Sequence, residues 1–298
     1  MKRALMKGTG LLAAALLLAT SAAAAARDVD RTVKADKDGL VTIENIAGSV
    51  RIEGWDKAEV RITGTLGKEV EDLEVKDSGR RTIIKVVYPK KIKSIDEGAE
   101  LVVMVPRDSG LEVECVSAPV TVDGVEGELE LSSVSGEVTV KGACRKLEAE
   151  TISGALAVES GCPEIAVQSI SGEVTVRAER AEIEAQTVSG RIEVHCGAIE
   201  GLSVESVSGK ARVKGGLDKN AKVSIDLHSG DLDLAFEGKV NADFEVETFS
   251  GDIENAFGPE AKKTSRYVPG QTLEFTAGEG GARVRINTFS GDVVIRRD

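Results

Sequence analysis

Short stretches of alternating apolar and polar residues recur through most of this chain, and they predict an all-β protein. Residues 133–140 read Ser-Val-Ser-Gly-Glu-Val-Thr-Val, and close copies of this stretch follow at nearly fixed intervals. The steps between successive glycines of the copies are 18, 18, 18, 19, 21, 21 and 40. A short period in a long chain is typical of stacked repeats, each too small to bury its apolar face alone. We therefore expect a β-solenoid with coils of about 18–21 residues.

Each copy carries a Ser-Gly pair, and we interpret these pairs as the turns of the solenoid. Glycine permits a bend, and a serine hydroxyl can bond neighbouring backbone, whereas a row of eight catalytic serines is chemically implausible. The predicted repeat turns are Ser135, Gly136, Ser153, Gly154, Ser171, Gly172, Ser189, Gly190, Ser208, Gly209, Ser229, Gly230, Ser250, Gly251, Ser290 and Gly291.

Alternation within each copy predicts two columns of inward side chains that form the core. Residues two apart along a strand share a face, and stacked strands place equivalent residues about 4.8 Å apart. The first predicted core column is Val134, Ile152, Ile170, Val188, Val207, His228, Phe249 and Phe289. The second is Val138, Leu156, Val174, Ile192, Ala211, Leu232, Ile253 and Val293. In this interpretation His228 is a buried, neutral imidazole.

The regularity changes along the chain and divides it into parts. Residues 27–110 are predicted to form irregular N-terminal β coils, in which Lys68–Asp77 is the best helix candidate. Residues 111–298 are predicted to form the regular solenoid, with an insertion at about 257–281 that is either a projecting loop or an irregular coil. The last copy and its charged end, Arg296–Asp298, are predicted to cap an open β edge.

Residues 1–26 have the three-part layout of a secretory signal peptide. Lys2, Arg3 and Lys7 precede an apolar run around Leu11–Leu18, and small residues then lead to a predicted cleavage site after Ala26. We expect an exported protein, in the periplasm or at the cell surface. The apolar run is too short to cross a bilayer comfortably, so no membrane span is expected in the mature chain.

The set of repeats also carries a family resemblance. The Thr/Ser-x-Ser-Gly-[Asp/Glu]-[Val/Ile] units, together with Gly54-Trp55 at the end of a degenerate first copy and Val105-Pro106 before the array, resemble the bacterial "putative adhesin" domain. This is a group of domains of unknown function that is similar to auto-transporter adhesin heads. The resemblance covers most of the mature chain. It implies a single-stranded, right-handed β-solenoid on an exported protein, and it supplies no catalytic residues.

The charge of the chain narrows the classes of partner. The formal net charge is −12, and removal of the cations of the signal peptide makes it more negative. An acidic protein is a poor candidate for binding nucleic acid or anionic membranes, because both need basic patches. The remaining partners are an unknown protein or glycan of the cell envelope, or another copy of the same rod.

Two groups of residues are candidates for covalent or metal chemistry. Cys144 and Cys162 occupy the same position after the glycines of two successive copies. Adjacent coils would bring them to about 5 Å, which suits a disulfide, although two stacked reduced thiols are the alternative. The column Asp231, Asp252 and Asp292 is a candidate calcium site, because Ca²⁺ takes several oxygen ligands. A solvated acidic face, which needs no ion, is the alternative there.

Periodicity, export and the lack of a convergent site favour a non-catalytic adhesin, envelope scaffold or interaction module. The alternative is a protein that binds or cleaves polysaccharide, which would use convergent carboxylates and cations with aromatic rings for stacking. Aromatic residues are 3% of the chain. We expect no enzyme activity and no cofactor. A mixed charged patch offers part of the alternative chemistry, without a predicted aromatic platform: Arg191, Glu193, Lys210 and Arg212.

Overall fold

The computed structural model describes residues 26–91, 94–265 and 269–298, and this part of the chain is all-β, as predicted. Its 24 strands belong to one hydrogen-bonded sheet. The predicted signal peptide lies outside the described residues, apart from Ala26. None of the described residues forms a helix long and apolar enough to cross a membrane.

The sheet bends into two facing layers, here called sheet 1 and sheet 2, and each coil gives one strand to each layer. In a central coil the chain runs along β10 (Glu128–Ser133) in sheet 1, through the Ser-Gly bend, and along β11 (Val138–Gly142) in sheet 2. A second corner then leads into β12 (Lys146–Thr151), which pairs in parallel with β10 so that Leu147 lies opposite Leu129. Solenoid-like stacking at the period of the repeats is therefore confirmed.

The other central strands follow the same path. They are β8 (Gly110–Cys115), β9 (Val120–Asp123), β13 (Leu156–Ser160), β14 (Glu164–Ser169), β15 (Val174–Thr187), β16 (Ile192–Ser208), β17 (Ala211–Ser229) and β18 (Leu232–Phe236). Three of them, β15, β16 and β17, continue through the second corner without a break. In these three the first half lies in sheet 2 and the second half lies in sheet 1.

At the N-terminal end the order of the coils in space differs from their order in the chain. The strands of this end are β1 (Arg27–Lys34), β2 (Leu40–Asn45), β3 (Gly48–Trp55), β4 (Glu59–Leu66), β5 (Asp72–Asp77), β6 (Arg81–Val87) and β7 (Ala99–Pro106). The coil formed by β2 and β3 pairs in parallel with β8 and β9 on one side and with β6 and β7 on the other. The coil that comes first in the chain is therefore second from the end of the stack. Antiparallel strands β1, β4 and β5 complete this end.

The helix candidate Lys68–Asp77 is wrong, because its second half is strand β5. Leu73 and Val75 alternate with charged residues and lie opposite Val86 and Ile84 of β6. Packing against the apolar residues of β6 stabilises an extended conformation that this charged segment would not favour by itself.

The C-terminal end repeats the same interleaving. Its strands are β19 (Ala242–Ser250), β20 (Ile253–Asn255), β21 (Lys262–Lys263), β22 (Gln271–Ala277), β23 (Ala282–Ser290) and β24 (Val293–Arg297). The last copy, β23 and β24, lies between the coil of β17 and β18 and the coil of β19 and β20. The prediction that the last copy caps the edge is therefore wrong. The insertion covers this end instead, since β22 pairs antiparallel with β19, and β21 pairs with β22.

The inward side chains of both sheets form one hydrophobic core. The predicted second column is buried, with exposures from 0% at Val174 to 8% at Ile253. The predicted first column is wrong: His228 is exposed, and the other members are 41–52% exposed. The reason is the bend, where Val134 and Ser135 both face outward before Gly136 turns inward. Ser133 occupies the inward position before the bend, so the alternation restarts after it.

Candidate functional site

The Ser-Gly bend is built from two hydroxyl groups with different roles. The first is the buried Ser or Thr that ends the strand of sheet 1, as at Ser133, whose Oγ accepts a hydrogen bond from the Gly136 N–H at 3.0 Å. Thr151 Oγ1 accepts the equivalent bond from Gly154 at 3.0 Å, and Ser169 Oγ accepts one from Gly172 at 2.7 Å. At the bend the glycine N–H no longer pairs with a neighbouring strand, and the hydroxyl group accepts its hydrogen bond instead.

The second hydroxyl belongs to the predicted turn serine and links each coil to the one before it. Ser153 donates from both its backbone N–H (2.9 Å) and its Oγ (3.2 Å) to the carbonyl oxygen of Val134. Ser171 donates in the same way to Ile152. The residue whose carbonyl accepts both bonds is thereby fixed on the outside of the bend.

These outward residues form a continuous apolar stripe along the stack, which we call the apolar ladder. Every coil except the end coil of β6 and β7 contributes one residue, nine of them apolar and one, His228, an imidazole. Ten coils at a strand spacing of about 4.8 Å give a stripe about 43 Å long. Scattered apolar residues are normal on a surface, whereas a long row of exposed apolar residues is typical of interaction surfaces. In spatial order the apolar ladder is Ile46, Val116, Val134, Ile152, Ile170, Val188, Val207, His228, Phe289 and Phe249.

The C-terminal end of the apolar ladder is aromatic. The rings of His228 and Phe289 are stacked with centroids 5.1 Å apart, and those of Phe289 and Phe249 are stacked at 4.9 Å. Phe289 and Phe249 are 51% and 52% exposed. Each ring covers a face of its neighbour, so the stack presents ring edges rather than free faces along most of its length.

A row of polar side chains runs parallel to the apolar ladder, two residues earlier in each coil. Together the two rows line a groove with volumes of about 610 Å³ in its C-terminal half and 560 Å³ in its N-terminal half. Asn287 Nδ2 donates to Asp226 Oδ1 at 2.8 Å within this row. The polar row is Glu44, Glu114, Ser132, Glu150, Gln168, Gln186, Glu205, Asp226, Asn287 and Glu247.

The three carboxylates of the predicted calcium column contact neighbouring residues instead of converging on one point. Asp231, Asp292 and Asp252 lie in this order on adjacent coils. Lys210 Nζ is 2.9 Å from Asp231, and its hydrogen bond holds the pKa of that carboxyl below its usual value. Asp292 accepts from the Asp252 N–H at 3.0 Å, and Asp252 accepts from Gln271 at 2.7 Å. Across the three described ranges, no three His, Cys, Asp or Glu side chains form a group that could hold a metal ion.

The mixed charged patch is brought together on sheet 2, where its residues line one shallow depression. Arg212 lies 3.6 Å from Glu193 and 3.3 Å from Asp233, and Arg191 lies 3.7 Å from Glu173. No described aromatic side chain lines this depression. The charged side chains of this depression therefore pair with one another across adjacent coils.

The four cysteines divide into one disulfide and two buried thiols. Cys144 and Cys162 are bonded across adjacent coils, with Cα atoms 4.6 Å apart. Cys115 and Cys196 are free and buried. Burial raises the pKa of the Cys115 thiol to about 12 and also raises the pKa of Cys196. Both thiols are therefore held in the unreactive protonated form at neutral pH.

This arrangement predicts the thiol count of the purified protein. The native protein should give no reaction with Ellman's reagent at pH 8, and the unfolded protein without reductant should give two thiols per chain. Reduction before unfolding should raise the count to four, the number of cysteines in the chain. Four thiols without reductant would contradict the disulfide, and rapid labelling of the native protein would contradict the burial of Cys115.

Sequence reasoning missed the apolar ladder as a candidate site because it assigned those residues to the core. A signal was present in the copies themselves. Each ladder residue follows a Ser or Thr in the central copies, as in Thr151-Ile152 and Thr187-Val188. A hydroxyl that must cap the bend has to face inward, so the next residue has to face outward.

Comparison with known proteins identifies related sequences and folds. A family model described as Toastrack DUF4097 matches residues 33–296. No curated protein matches the chain significantly.

Solved structures from three bacteria are similar to this chain. One is a "putative adhesin" from Bacteroides fragilis, with 13% identity over 91% of this chain and 97% of that one and a TM-score of 0.39. Another is a "putative cell adhesion protein" from Clostridium sporogenes, with 8% identity over 91% of this chain and 100% of that one and a TM-score of 0.27. A "putative lipid binding protein" from Parabacteroides distasonis has 11% identity over 90% of this chain and 96% of that one, with a TM-score of 0.34.

Proposed function

This chain belongs to the Toastrack DUF4097 family, and from that premise we propose that it is an exported, non-catalytic, adhesin-like module that binds a partner along its apolar ladder. We further propose that the chain follows a right-handed, single-stranded solenoid path. We also propose that it is similar to auto-transporter adhesin heads, as the Ser-Gly units indicate. The signal-peptide layout of residues 1–26 supports export to the periplasm or the cell surface.

The single observation that carries this proposal is the continuity of the apolar ladder. Ile152, Ile170 and Val188 are 46–48% exposed on three successive coils, and the row continues in both directions. A stable fold gains little from half-exposed apolar residues repeated on every coil, because water still reaches much of each side chain. A long partner that covers the row would gain their full burial.

The proposal is tested by capture from envelope extract with the exported form, residues 27–298. The matched variant is Ile152→Ser/Ile170→Ser, which changes only the outward side chains. We expect a defined partner to be identified by mass spectrometry with the native protein, to bind again after purification, and to be lost with the variant. Equal binding of the purified partner by both proteins would place the binding surface elsewhere and contradict the proposal.

A polysaccharide-binding module is the second candidate, and one observation favours it. The aromatic end of the groove brings Phe289 and Phe249 beside the amide of Asn287. Amides and aromatic rings are a combination suited to a hydroxyl-rich chain. A glycan array with the native protein and a Phe249→Ala/Phe289→Ala variant tests it, since specific glycan binding should be lost in the variant.

A further inference from the structure

We propose that the partner of the apolar ladder is a cationic amphipathic segment of a polypeptide, bound with its apolar face on the ladder and its cationic flank over sheet 1. This inference rests on the proposed function and names the chemistry of the partner. Three features of the molecule carry it: the width of the apolar ladder, the charge of the surface beside it, and the asymmetry of its two flanks.

The width of the apolar ladder selects a linear partner. The stripe is one side chain wide over about ten coils. A globular protein with a broad apolar patch would meet polar residues on both sides of the stripe. An amphipathic helix instead presents a narrow apolar stripe along its length, and helix-in-groove recognition uses such a match.

The charge of the surface beside the ladder selects a cationic partner. The six central strands of sheet 1, from β8 to the second half of β16, carry Lys146 as their one cation, and it lies 2.5 Å from Glu148. Within the described ranges, no Lys or Arg forms an ion pair with Glu150 or Glu205 of the polar row. The carboxylates on these six strands are Glu112, Glu114, Glu128, Glu130, Glu148, Glu150, Glu164, Glu182, Glu184 and Glu205.

The two flanks of the apolar ladder differ, which fixes the orientation of the partner. On one side lie the polar row and the acidic face of sheet 1. On the other side lie the turn serines, such as Ser153 and Ser171, whose hydroxyl groups donate hydrogen bonds to backbone carbonyl oxygens of the neighbouring coil. Sheet 2 beyond them has mixed charge, with pairs such as Lys210 and Asp231. Over the six central coils, cations of a bound segment are therefore attracted toward sheet 1 rather than toward sheet 2.

The same features disfavour other occupants of the ladder. Two copies of this chain docked through antiparallel ladders would bring one acidic face against another, and like charges across an interface oppose binding. An anionic lipid surface is repelled for the same reason. A glycan needs free ring faces, whereas the rings of His228, Phe289 and Phe249 are stacked on one another.

The test uses a fluorescent 14-residue peptide of Leu and Lys arranged with helical periodicity, which as a helix spans about 21 Å and four coils. Two control peptides replace every Leu by Ser or every Lys by Glu. Fluorescence anisotropy with residues 27–298 should show binding of the Leu/Lys peptide, at least about tenfold weaker binding of each control peptide, and affinity that falls as salt is raised.

Matched protein variants separate the ladder from general charge. We expect Ile152→Ser/Ile170→Ser to weaken binding about tenfold, and Glu150→Gln/Glu205→Gln to weaken it and reduce its salt dependence. Glu137→Gln/Glu159→Gln makes the same change of charge after the bend, away from sheet 1, and should bind as the native protein does. Circular dichroism and thermal unfolding check that every variant is folded.

The outcomes distinguish this inference from the function on which it rests. Equal binding of the Leu/Lys and Leu/Glu peptides would overturn the cationic partner, and an equal loss in the Glu137→Gln/Glu159→Gln variant would show attraction by net charge alone and overturn the site. If no Leu/Lys peptide binds while Ile152→Ser/Ile170→Ser still loses the partner captured from envelope extract, the inference falls and the proposed function stands. Specific binding of a glycan at the ladder would likewise replace the polypeptide.

Discussion

Gly172→Ala is expected to destabilise the protein by roughly 3 kcal/mol or more, because no Cβ fits at the bend. A Cβ at this position would lie 1.8 Å from the carbonyl oxygen of Gly154 in the preceding coil. That atom is backbone, so the whole coil would have to shift. Gly190, on the following coil, approaches Gly172 in the same way, with 1.9 Å between its hypothetical Cβ and the Gly172 carbonyl oxygen.

The matched control for this prediction is Gly161→Ala. A Cβ at Gly161 would meet the Ala143 Cβ at 3.6 Å, which is ordinary van der Waals contact, and the site is exposed. Urea unfolding followed by far-ultraviolet circular dichroism should show a clear fall in the midpoint for Gly172→Ala and little change for Gly161→Ala. Equal midpoints for the two variants would mean that the coils can separate at the bend without cost.

Ile183→Ala is expected to cost about 2–5 kcal/mol, whereas Ile170→Ala should cost about 1 kcal/mol or less. Ile183 is 1% exposed and lies in the core between the sheets, so truncation leaves a cavity. Ile170 is 46% exposed in the apolar ladder, so truncation removes a side chain that water already contacts. The chemical change is the same at both sites, and only the direction of the side chain differs.

Thermal and urea unfolding of the two isoleucine variants measure this difference. At the size of this chain, 1 kcal/mol corresponds to a shift in Tm of about 2–4 °C, so the two variants should separate clearly. Similar losses at both sites would show that Ile170 is covered in solution, either by its own chain or by another copy. Sedimentation of the native protein distinguishes those two explanations.

The period of the repeats was sufficient to predict the stacking in the centre of the molecule. Paired residues such as Leu129 and Leu147 are separated along the chain by the same step as the glycines of successive copies. The inward direction of Val138 and its equivalents also followed from alternation, because these residues lie within a regular strand. In the central coils the local alternation and the long-range strand pairing favour the same structure, so the alternation is enough to predict the pairing.

The direction of Val134 and its equivalents could not be read from alternation, because a bend interrupts the period of two. Two successive residues face outward there, and every side chain before the bend changes face relative to the simple count. The candidate site consists of these residues. An error of one position in the alternation therefore assigned exposed residues to the core. The hydroxyl that caps the bend, as at Thr151, is the physical reason for the interruption.

The order of the coils at the two ends has no local signal in the sequence. Strand β2 has the same alternation whether it pairs with β6, with β8 or with both. The choice depends on which coil leaves an unpaired edge after the others have stacked, which is a property of the whole molecule. The insertion shows the same limit, since its pairing with β19 follows from the edge that β19 would otherwise expose.

The interleaved ends have a consequence for the order in which the chain folds. In the centre, each coil pairs with the next copy along the chain, so a short loop closes each new contact. At the ends, Thr42 meets Glu112 across 70 residues, and Asp231 meets Asp292 across 61. Distant pairings close slowly, so assembly is expected to begin among the middle coils and to finish when the first and last coils enter their places. A chain arrested before that step would hold a formed centre between two unpaired edges, which is the state most open to joining with another molecule.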